Sequence, residues 1–288
     1  MKRTCLFTGV VVVSMVLTAG NSGAGKAEEP GIMLQHDRGK LVFVDESGKT
    51  IKEIELIKPG SEKGMPVVKK KHARLKASPS IKEGRSGDAV VSKNKDFALM
   101  IETLTEWIVP ETEEEVAAMK DTDKDYFSTQ VTIKYFDKQG NVLWEKQPPL
   151  NMVVERGALI SYDGNVVAYI QTYEMGGLRE SEPFERLMVF DKSGKELLVF
   201  PERRGEFNSI REMTLSSPSG RYVSFVGMLA QTRPQFVAAF FDLQNKTSWI
   251  TDEAYYVKRL SDDGSCTVGY TDAPKGTKEI NLKEYLEK

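Results

Sequence analysis

The chain has few of the residues on which most catalytic and metal sites depend. Its 288 residues include two cysteines and two histidines. Only His36 and His72 could act as imidazole bases or ligands, and no Gly-x-Ser-x-Gly motif offers a nucleophile. A Ser-His-Asp triad therefore lacks a well-placed base, and a His-rich metal site is excluded. Phosphate-loop and dinucleotide motifs are also missing, although the abundant carboxylates leave a glycosidase pair open.

The charge is nearly balanced and the chain has only two cysteines. The net charge of −2 indicates neither a nucleic-acid partner nor an anionic lipid surface. Cys5 lies ahead of the first apolar run, so an exported chain would keep Cys266 alone and could form no internal disulfide. Cys266 falls in a predicted strand, where we expect it to be buried rather than reactive.

No apolar run reaches the roughly 20 residues that a membrane-spanning helix needs. The run Leu6–Leu17 follows a basic start and precedes a stretch of small residues that ends at Ala27. This order is typical of a secretory signal peptide. We therefore expect residues 1–27 to be removed, the mature chain to have no membrane span, and the protein to act in the periplasm or outside a bacterial cell.

One short turn motif occurs four times with an aspartate at a constant position. Three residues after the aspartate comes a residue that tolerates a left-handed backbone, which is glycine in three copies and asparagine in the fourth. The copies are Val44–Gly48, Phe136–Gly140, Phe190–Gly194 and Phe241–Asn245, and four residues after them stand Lys52, Trp144, Leu198 and Trp249. We predict that the four aspartates stabilise hairpin turns and have no catalytic role.

A second turn motif, Ser-x-x-Gly, also occurs four times. Each copy precedes a run rich in β-branched and aromatic residues, which predicts a strand. Phe225 and Tyr169 both follow their glycine by five residues, so we expect them to occupy equivalent core positions. The copies begin at Ser92, Ser161, Ser217 and Ser261, and the first has Lys95 in place of glycine.

The third copy of this motif belongs to the segment Leu215–Phe225, which reads Leu-Ser-Ser-Pro-Ser-Gly-Arg-Tyr-Val-Ser-Phe. This segment resembles the repeat of the TolB-like (WD40-like, PD40) β-propellers, whose blades read roughly Ser-Pro-Asp-Gly-Arg/Lys-x-Val/Ile-Ala-Phe. Ser161–Tyr169 is a fair match, and the other two copies are degenerate. The resemblance covers about a sixth of the chain. It implies a type of blade and carries no chemistry.

The alternation of the two motifs predicts an all-β fold, a small β-propeller in a single domain over residues 30–288. We expect about nineteen strands, arranged in five four-stranded antiparallel blades. The ring would close where Ile32–Gln35 meets the last strand, Thr277–Leu282. Four blades are the alternative, with Leu41–Leu56 completing the C-terminal blade.

Two segments, residues 58–87 and 104–128, are predicted to be insertions in this repeat. The first is crowded with basic residues, which form either a surface for an anionic ligand such as an acidic glycan or a solvated stretch that resists aggregation. No aromatic residues are interleaved with them, which argues against nucleic acid. The basic tract consists of Lys69, Lys70, Lys71 and Arg74.

The second insertion contains three acids spaced like the first ligands of a calcium-binding loop. They are Asp121, Asp123 and Asp125. Tyr126 stands where such a loop needs glycine, and Thr132 stands where it needs a bidentate glutamate. We therefore expect a solvated acidic loop here, and no cofactor.

Three hypotheses for the function remain. The favoured one is an exported, non-catalytic propeller that binds a protein or peptide partner on one face of the ring, because no nucleophile, base or metal set is evident. The second is a carboxylate-dependent glycan hydrolase or lyase on the same scaffold. The third is binding of an anionic ligand through the basic tract.

Overall fold

The structure is a computed structural model, and it describes residues 30–36, 39–56, 67–69, 80–109, 127–149, 152–173, 185–201, 207–215, 219–229, 235–252, 254, 256–269 and 276–287. These ranges contain nineteen β-strands and one four-residue helix. The fold is therefore all-β. The strands form five antiparallel sheets that follow one another along the chain.

We number the sheets I to V in chain order. Sheet I contains β1 (Gly31–Gln35), β2 (Lys40–Val44) and β3 (Thr50–Glu55). Sheet II contains β4 (Val67–Lys69), β5 (Ser80–Val91), β6 (Phe97–Val109), β7 (Phe127–Asp137) and β8 (Val142–Lys146).

The other three sheets complete the array. Sheet III contains β9 (Met152–Ile160), β10 (Val166–Tyr173), β11 (Glu185–Asp191) and β12 (Glu196–Phe200). Sheet IV contains β13 (Phe207–Leu215), β14 (Tyr222–Leu229), β15 (Gln235–Asp242) and β16 (Thr247–Thr251). Sheet V contains β17 (Tyr256–Leu260), β18 (Ser265–Gly269) and β19 (Thr277–Asn281), and α1 (Lys283–Leu286) follows it.

The predicted strand exchange between the two chain ends is wrong. Within the described ranges β1 pairs with β2, and β19 pairs with β18. β1 is held against sheet II, because the buried Ile32 donates its N–H to the carbonyl of Lys95 at 2.8 Å. The four-blade alternative is also wrong, since β2 and β3 share a sheet with β1. Two sheets have four strands, and the others have three, five and three.

Parts of the two predicted insertions are strands that pair with each other. Ser80 lies opposite Val109, and Arg85 lies opposite Leu104, within one continuous β5–β6 hairpin. Residues 80–87 and 104–109 therefore extend sheet II instead of interrupting it. Each segment looks polar by itself, and the cross-strand pairing that stabilises it joins residues far apart in the sequence.

The Ser-x-x-Gly turns, which we call the inner turns, share one backbone conformation, as the repeat predicts. The residue at the glycine position has a positive φ in all four copies: 62° at Lys95, 74° at Gly164, 65° at Gly220 and 87° at Gly264. Lys95 adopts it in a turn where the Asn94 side chain accepts from the Ser92 hydroxyl at 2.6 Å. The alignment of the degenerate first copy is therefore correct.

The inner turns also join neighbouring sheets. Asn94 N–H donates to the carbonyl of Tyr162 at 3.3 Å, between sheets II and III. Ser219 donates from its hydroxyl and its N–H to the carboxylate of Asp262 at 2.9 and 3.1 Å, between sheets IV and V. A Cβ atom at Gly220 would meet side-chain atoms of sheet III within 3 Å. The turn residues therefore fix the approach of one sheet to the next.

The Asp-x-x-Gly turns, which we call the outer turns, follow the prediction in three copies of four. Gly48, Gly140 and Gly194 have φ values of 78°, 79° and 83°. The prediction for Asn245 is wrong, because the left-handed residue of the fourth copy is Lys246, with φ 57°. The first three hairpins contain a register shift next to the turn, whereas β15 and β16 pair without one, and this moves the turn by one residue.

The core consists of apolar layers between consecutive sheets. Tyr169 packs in the layer between sheets II and III, and Phe225 packs in the layer between sheets III and IV. Both are almost completely buried and face the preceding sheet, so their predicted equivalence is confirmed. Cys266 is also buried, as expected, and burial raises the pKa of its thiol to about 12.

Candidate functional site

The inner and outer turns of sheets II, III and IV lie at the same end of the strands, which we call the turn end. In each sheet the first strand residue after the inner turn pairs with the aspartate of the outer turn: Phe97 with Asp137, Val166 with Asp191, and Tyr222 with Asp242. At this end every sheet meets the outermost strand of the sheet before it. The four large residues that follow the outer turns lie at these junctions.

Three of the four large residues make a close contact across their junction. Lys52 donates from Nζ to the carbonyl of Gly140 at 2.5 Å, at the junction of sheets I and II. Trp144 lies directly on Gly194, where an added Cβ would come within 2.8 Å of the indole ring. Trp249 stacks on Tyr285 of α1, with ring centroids 4.0 Å apart.

Leu198 is the fourth, and its junction stays open. The groove beside it has a volume of about 530 Å³, within the usual range for ligand sites. The space is open because leucine is much smaller than tryptophan. In addition, the outer turn opposite Leu198 has its left-handed residue at Lys246, one position later than in the other copies. One wall consists of Leu197, Leu198, Val199 and Phe200 of β12, and the other consists of residues 241–243 and 246–248 of sheet IV. We call this space the β12 groove.

The β12 groove is lined by six apolar and four polar residues, and it rests on a rigid aromatic base. The ring of Phe200 packs against Phe241 and Phe225, with centroids 4.9 and 5.8 Å away. Phe225 and Phe241 belong to the buried layer between sheets III and IV. The groove is therefore a surface extension of the core and holds its shape through core packing.

A few polar groups line the groove. Asp242 accepts hydrogen bonds from Arg221 Nε at 3.1 Å and from Nη2 at 2.6 Å. Burial alone would raise the pKa of Asp242, but the bonds from Arg221 and from the N–H groups of Asn245 and Gln244 lower it below its usual value. The buried Oγ1 of Thr247 has no hydrogen-bond partner among the described residues, and Lys246 is exposed at the rim.

β12 is also an edge strand with an unusual composition. Among the described strands it pairs with β11 alone, so it forms the outer edge of sheet III. After Glu196 it carries four consecutive apolar residues, whereas β3, β8 and β19 carry several polar or charged residues and β16 carries threonine and serine. Edge strands normally use charges to prevent pairing with another chain. An edge with an apolar run beside a groove can accept a further strand.

A second cavity, of about 470 Å³, lies between sheets I and II at the turn end. It is lined by turn residues, among them Asp45, Asp96 and Lys138. Asp45 is already bonded to Ser47 and Lys49 of its own turn. The carboxylate of Asp45 is therefore used within its own turn.

The repeated aspartates act as predicted, as turn residues. Asp137 and Asp191 each accept two backbone N–H bonds from residues two and four positions later, at 2.9 to 3.0 Å. Burial opposes the charge of Asp191, but hydrogen bonds from Ser193 and Lys195 lower the pKa of this carboxyl below its usual value. The carboxylates of Asp137 and Asp191 are therefore used within their own turns.

The other predicted site residues lie mostly outside the described part. Lys69 ends β4, where it pairs with Ser80 across the hairpin, and nothing is described of its side chain. Lys70, Lys71 and Arg74 are outside the described residues, as are residues 1–29. Asp121, Asp123 and Asp125, the weak calcium candidates, are also outside them.

The described residues contain no group of three or more His, Cys, Asp or Glu side chains placed to hold a metal ion. They also contain no helix long and apolar enough to cross a membrane.

No protein-family model and no curated protein matches this chain. Among solved structures it is similar to hydrazine synthase of Kuenenia stuttgartiensis, with 10% identity and a TM-score of 0.38 over 86% of this chain and 72% of that one. It is also similar to Pyrococcus horikoshii acylaminoacyl peptidase, with 13% identity and a TM-score of 0.35 over 67% and 31%. For cobalt-substituted Synechocystis ACO the identity is 9% and the TM-score 0.30, over 74% and 50%. Similarity at this level carries no argument about function.

Sequence reasoning missed the β12 groove, although its signals are present in the sequence. Leu198 is the only aliphatic residue among the four aligned large residues, and Leu197–Phe200 is an uncharged run. Asn245 is the only non-glycine residue at its position in the repeat. Leu198 and the turn that contains Asn245 lie on opposite sides of one junction, and only the fold brings them together.

Proposed function

We propose that this protein is an exported, non-catalytic β-propeller of the TolB-like type that binds an extended segment of a partner protein in the β12 groove. Five consecutive antiparallel sheets that pack face to face support the propeller. The signal-peptide pattern of residues 1–27 supports export to the periplasm or the cell exterior. The groove lies at the turn end, which would be one face of the ring.

The single observation that carries this proposal is an open strand edge with a run of four apolar residues beside a groove of mixed apolar and polar lining. β12 is five residues long, so it offers an edge of about 17 Å. A strand added there would bond to the β12 backbone, and its alternate side chains would enter the groove. The glycan-hydrolase alternative finds less support, because Asp242 is the single carboxylate lining the groove and Arg221 binds it.

The groove can be tested with peptides selected from a displayed random library on the mature protein. We expect the selected peptides to be extended and apolar. Their affinity for the Leu198→Trp variant should be at least tenfold lower than for the wild type, because the indole would occupy the groove as Trp144 occupies the neighbouring junction. Leu143→Trp, at an exposed position of β8, is the matched control and should bind normally. Equal binding to the wild type and to Leu198→Trp would refute the groove.

Export is tested separately. We expect mass spectrometry of the exported protein to give an N-terminus near Gly25 or Glu28, because small residues precede both positions. An exported form that still begins at Met1 would contradict the signal peptide and would leave the groove hypothesis unaffected.

A further inference from the structure

Arg211 occupies a bulge on β13, the first strand of sheet IV. Ile210 pairs with Gly227 and Glu212 pairs with Val226, so Arg211 is an extra residue without a partner opposite it on β14. A bulge of this kind changes the direction of a side chain and is common beside functional sites. The backbone next to Arg211 is held firmly, because the buried Ile210 donates its N–H to the carboxylate of Glu185, which is also buried.

The guanidinium of Arg211 lies on an aromatic ring. Its Cζ is 4.3 Å from the centroid of Phe236, which is half-buried on β15. The arginine is itself exposed, and among the described side chains no carboxylate pairs with it. A guanidinium stacked on a ring keeps its N–H donors pointing outward in one plane. The donors are thus oriented before any ligand arrives.

The same sheet shows how such an arginine binds an anion. Arg221 lies over the ring of Tyr222, with Cζ 4.8 Å from the centroid. Two of its nitrogens bond to the carboxylate of Asp242 at 2.6 to 3.1 Å. Arg211 repeats the arrangement of arginine and ring, but no described carboxylate bonds to it. Within the described part of the chain, this is the difference between the two sites.

The neighbouring strand adds positive charge. β17 of sheet V contacts β13, and it carries Lys258 and Arg259, both exposed. Lys258 is also the extra residue of a bulge, between Val257 and Arg259. These two consecutive cations add positive charge to a strand that contacts β13, which favours an anion on this side of the sheet.

We propose that Arg211 is the anchor of a binding site for a carboxylate or phosphate group of a ligand, which it binds with two N–H donors as Arg221 binds Asp242. Planar two-point recognition suits both anions, because each presents two acceptor oxygens. The site shares no residue with the β12 groove, so either can fail without the other.

The test is a titration of the mature, 15N-labelled protein at constant ionic strength, with sodium glutarate in one arm and inorganic pyrophosphate in the other. We expect the Arg211 Nε–H signal to shift in a saturable way, with the tighter arm identifying the anion class. The Arg221 Nε–H signal is an internal control that should stay in place, because Asp242 occupies its donors. A linear shift common to both signals in both arms would overturn the proposal.

Two variants separate a two-point site from simple charge attraction. Arg211→Lys keeps the charge but loses the planar pair of N–H donors, so binding of the better probe should weaken at least tenfold. Phe236→Leu removes the ring and should weaken binding about threefold. Arg85→Lys changes an exposed arginine of sheet II and should have no effect. If Arg211→Lys binds as tightly as the wild type, with an unchanged melting temperature, the site is refuted.

Discussion

The junction of sheets II and III and the junction of sheets III and IV are built from the same pair of turns, yet one is filled and the other is open. At the first, Trp144 covers Gly194 and stacks on Tyr135, with centroids 5.3 Å apart. At the second, Leu198 faces the shifted outer turn and leaves about 530 Å³ of space. A repeat architecture can therefore make a binding groove by reducing one side chain and moving one turn by a residue.

The largest effect should come from emptying the filled junction. Trp144→Ala should lower the free energy of unfolding by about 3 to 5 kcal/mol, because it removes a buried aromatic side chain from a packed layer. Leu198→Ala should cost clearly less, since Leu198 is only partly buried beside open space. Urea denaturation of both variants checks this difference, and equal losses would show that the junctions are packed alike.

A β-branched residue at the filled junction should be the next most damaging change. Gly194→Val places a branched side chain at a φ of 83°, which costs about 1 to 3 kcal/mol, and drives its Cβ into Trp144. The double variant with Trp144→Leu should recover the part of the loss that comes from the collision. No recovery in denaturant melts would mean that backbone strain explains the whole effect.

The Arg221–Asp242 pair at the base of the groove should make stability depend on pH. The pKa of Asp242 is lowered in the folded state, so its contribution is complete above the unfolded pKa of about 3.9 and is lost as the pH falls through the folded value. Asp242→Asn should cost about 1.5 to 3 kcal/mol at neutral pH. Its deficit relative to the wild type should shrink below about pH 4. A deficit independent of pH would contradict the ion pair.

The smallest effect should come from the shifted outer turn. Lys246→Gly should be neutral or stabilising by up to about 1 kcal/mol, because Lys246 has a left-handed backbone. Asn245→Gly should destabilise slightly, since Asn245 does not have a positive φ and glycine adds freedom to the unfolded chain. Thermal melts of the two variants should therefore shift in opposite directions. The reverse order would restore the simple four-copy alignment of the outer turns.

Much of the architecture could be predicted from the sequence because hairpin turns are local. The left-handed positions at Gly164 and Gly264, and even at Lys95, follow from the repeat. The burial of Cys266 follows from its place in a strand. The pairing of residues 80–87 with 104–109 could not be predicted, because it depends on partners distant in the sequence and on mixed polar compositions.

The candidate site was much less predictable. The charged clusters that stand out in the sequence lie mainly outside the described part of the chain, and the groove is formed by ordinary residues such as Leu198 and Phe200. Arg211 belongs to no sequence motif, because the role proposed for it depends on a bulge and on Phe236 two strands away. A side chain whose role depends on its neighbours in space cannot be recognised from the sequence around it.

The sequence by itself determined the all-β class, the hairpin turns and the aspartates that hold them, because these depend on contacts among residues a few positions apart. Tertiary structure decided which strands begin and end each sheet, how closely neighbouring sheets pack at each junction, and that Arg221 binds Asp242 while Arg211 lies over Phe236. Those outcomes depend on side-chain volume and on the approach of one sheet to the next. The fit of side-chain volumes and the approach of the sheets are set when two sheets pack together. They cannot be read from the order of residues along one strand.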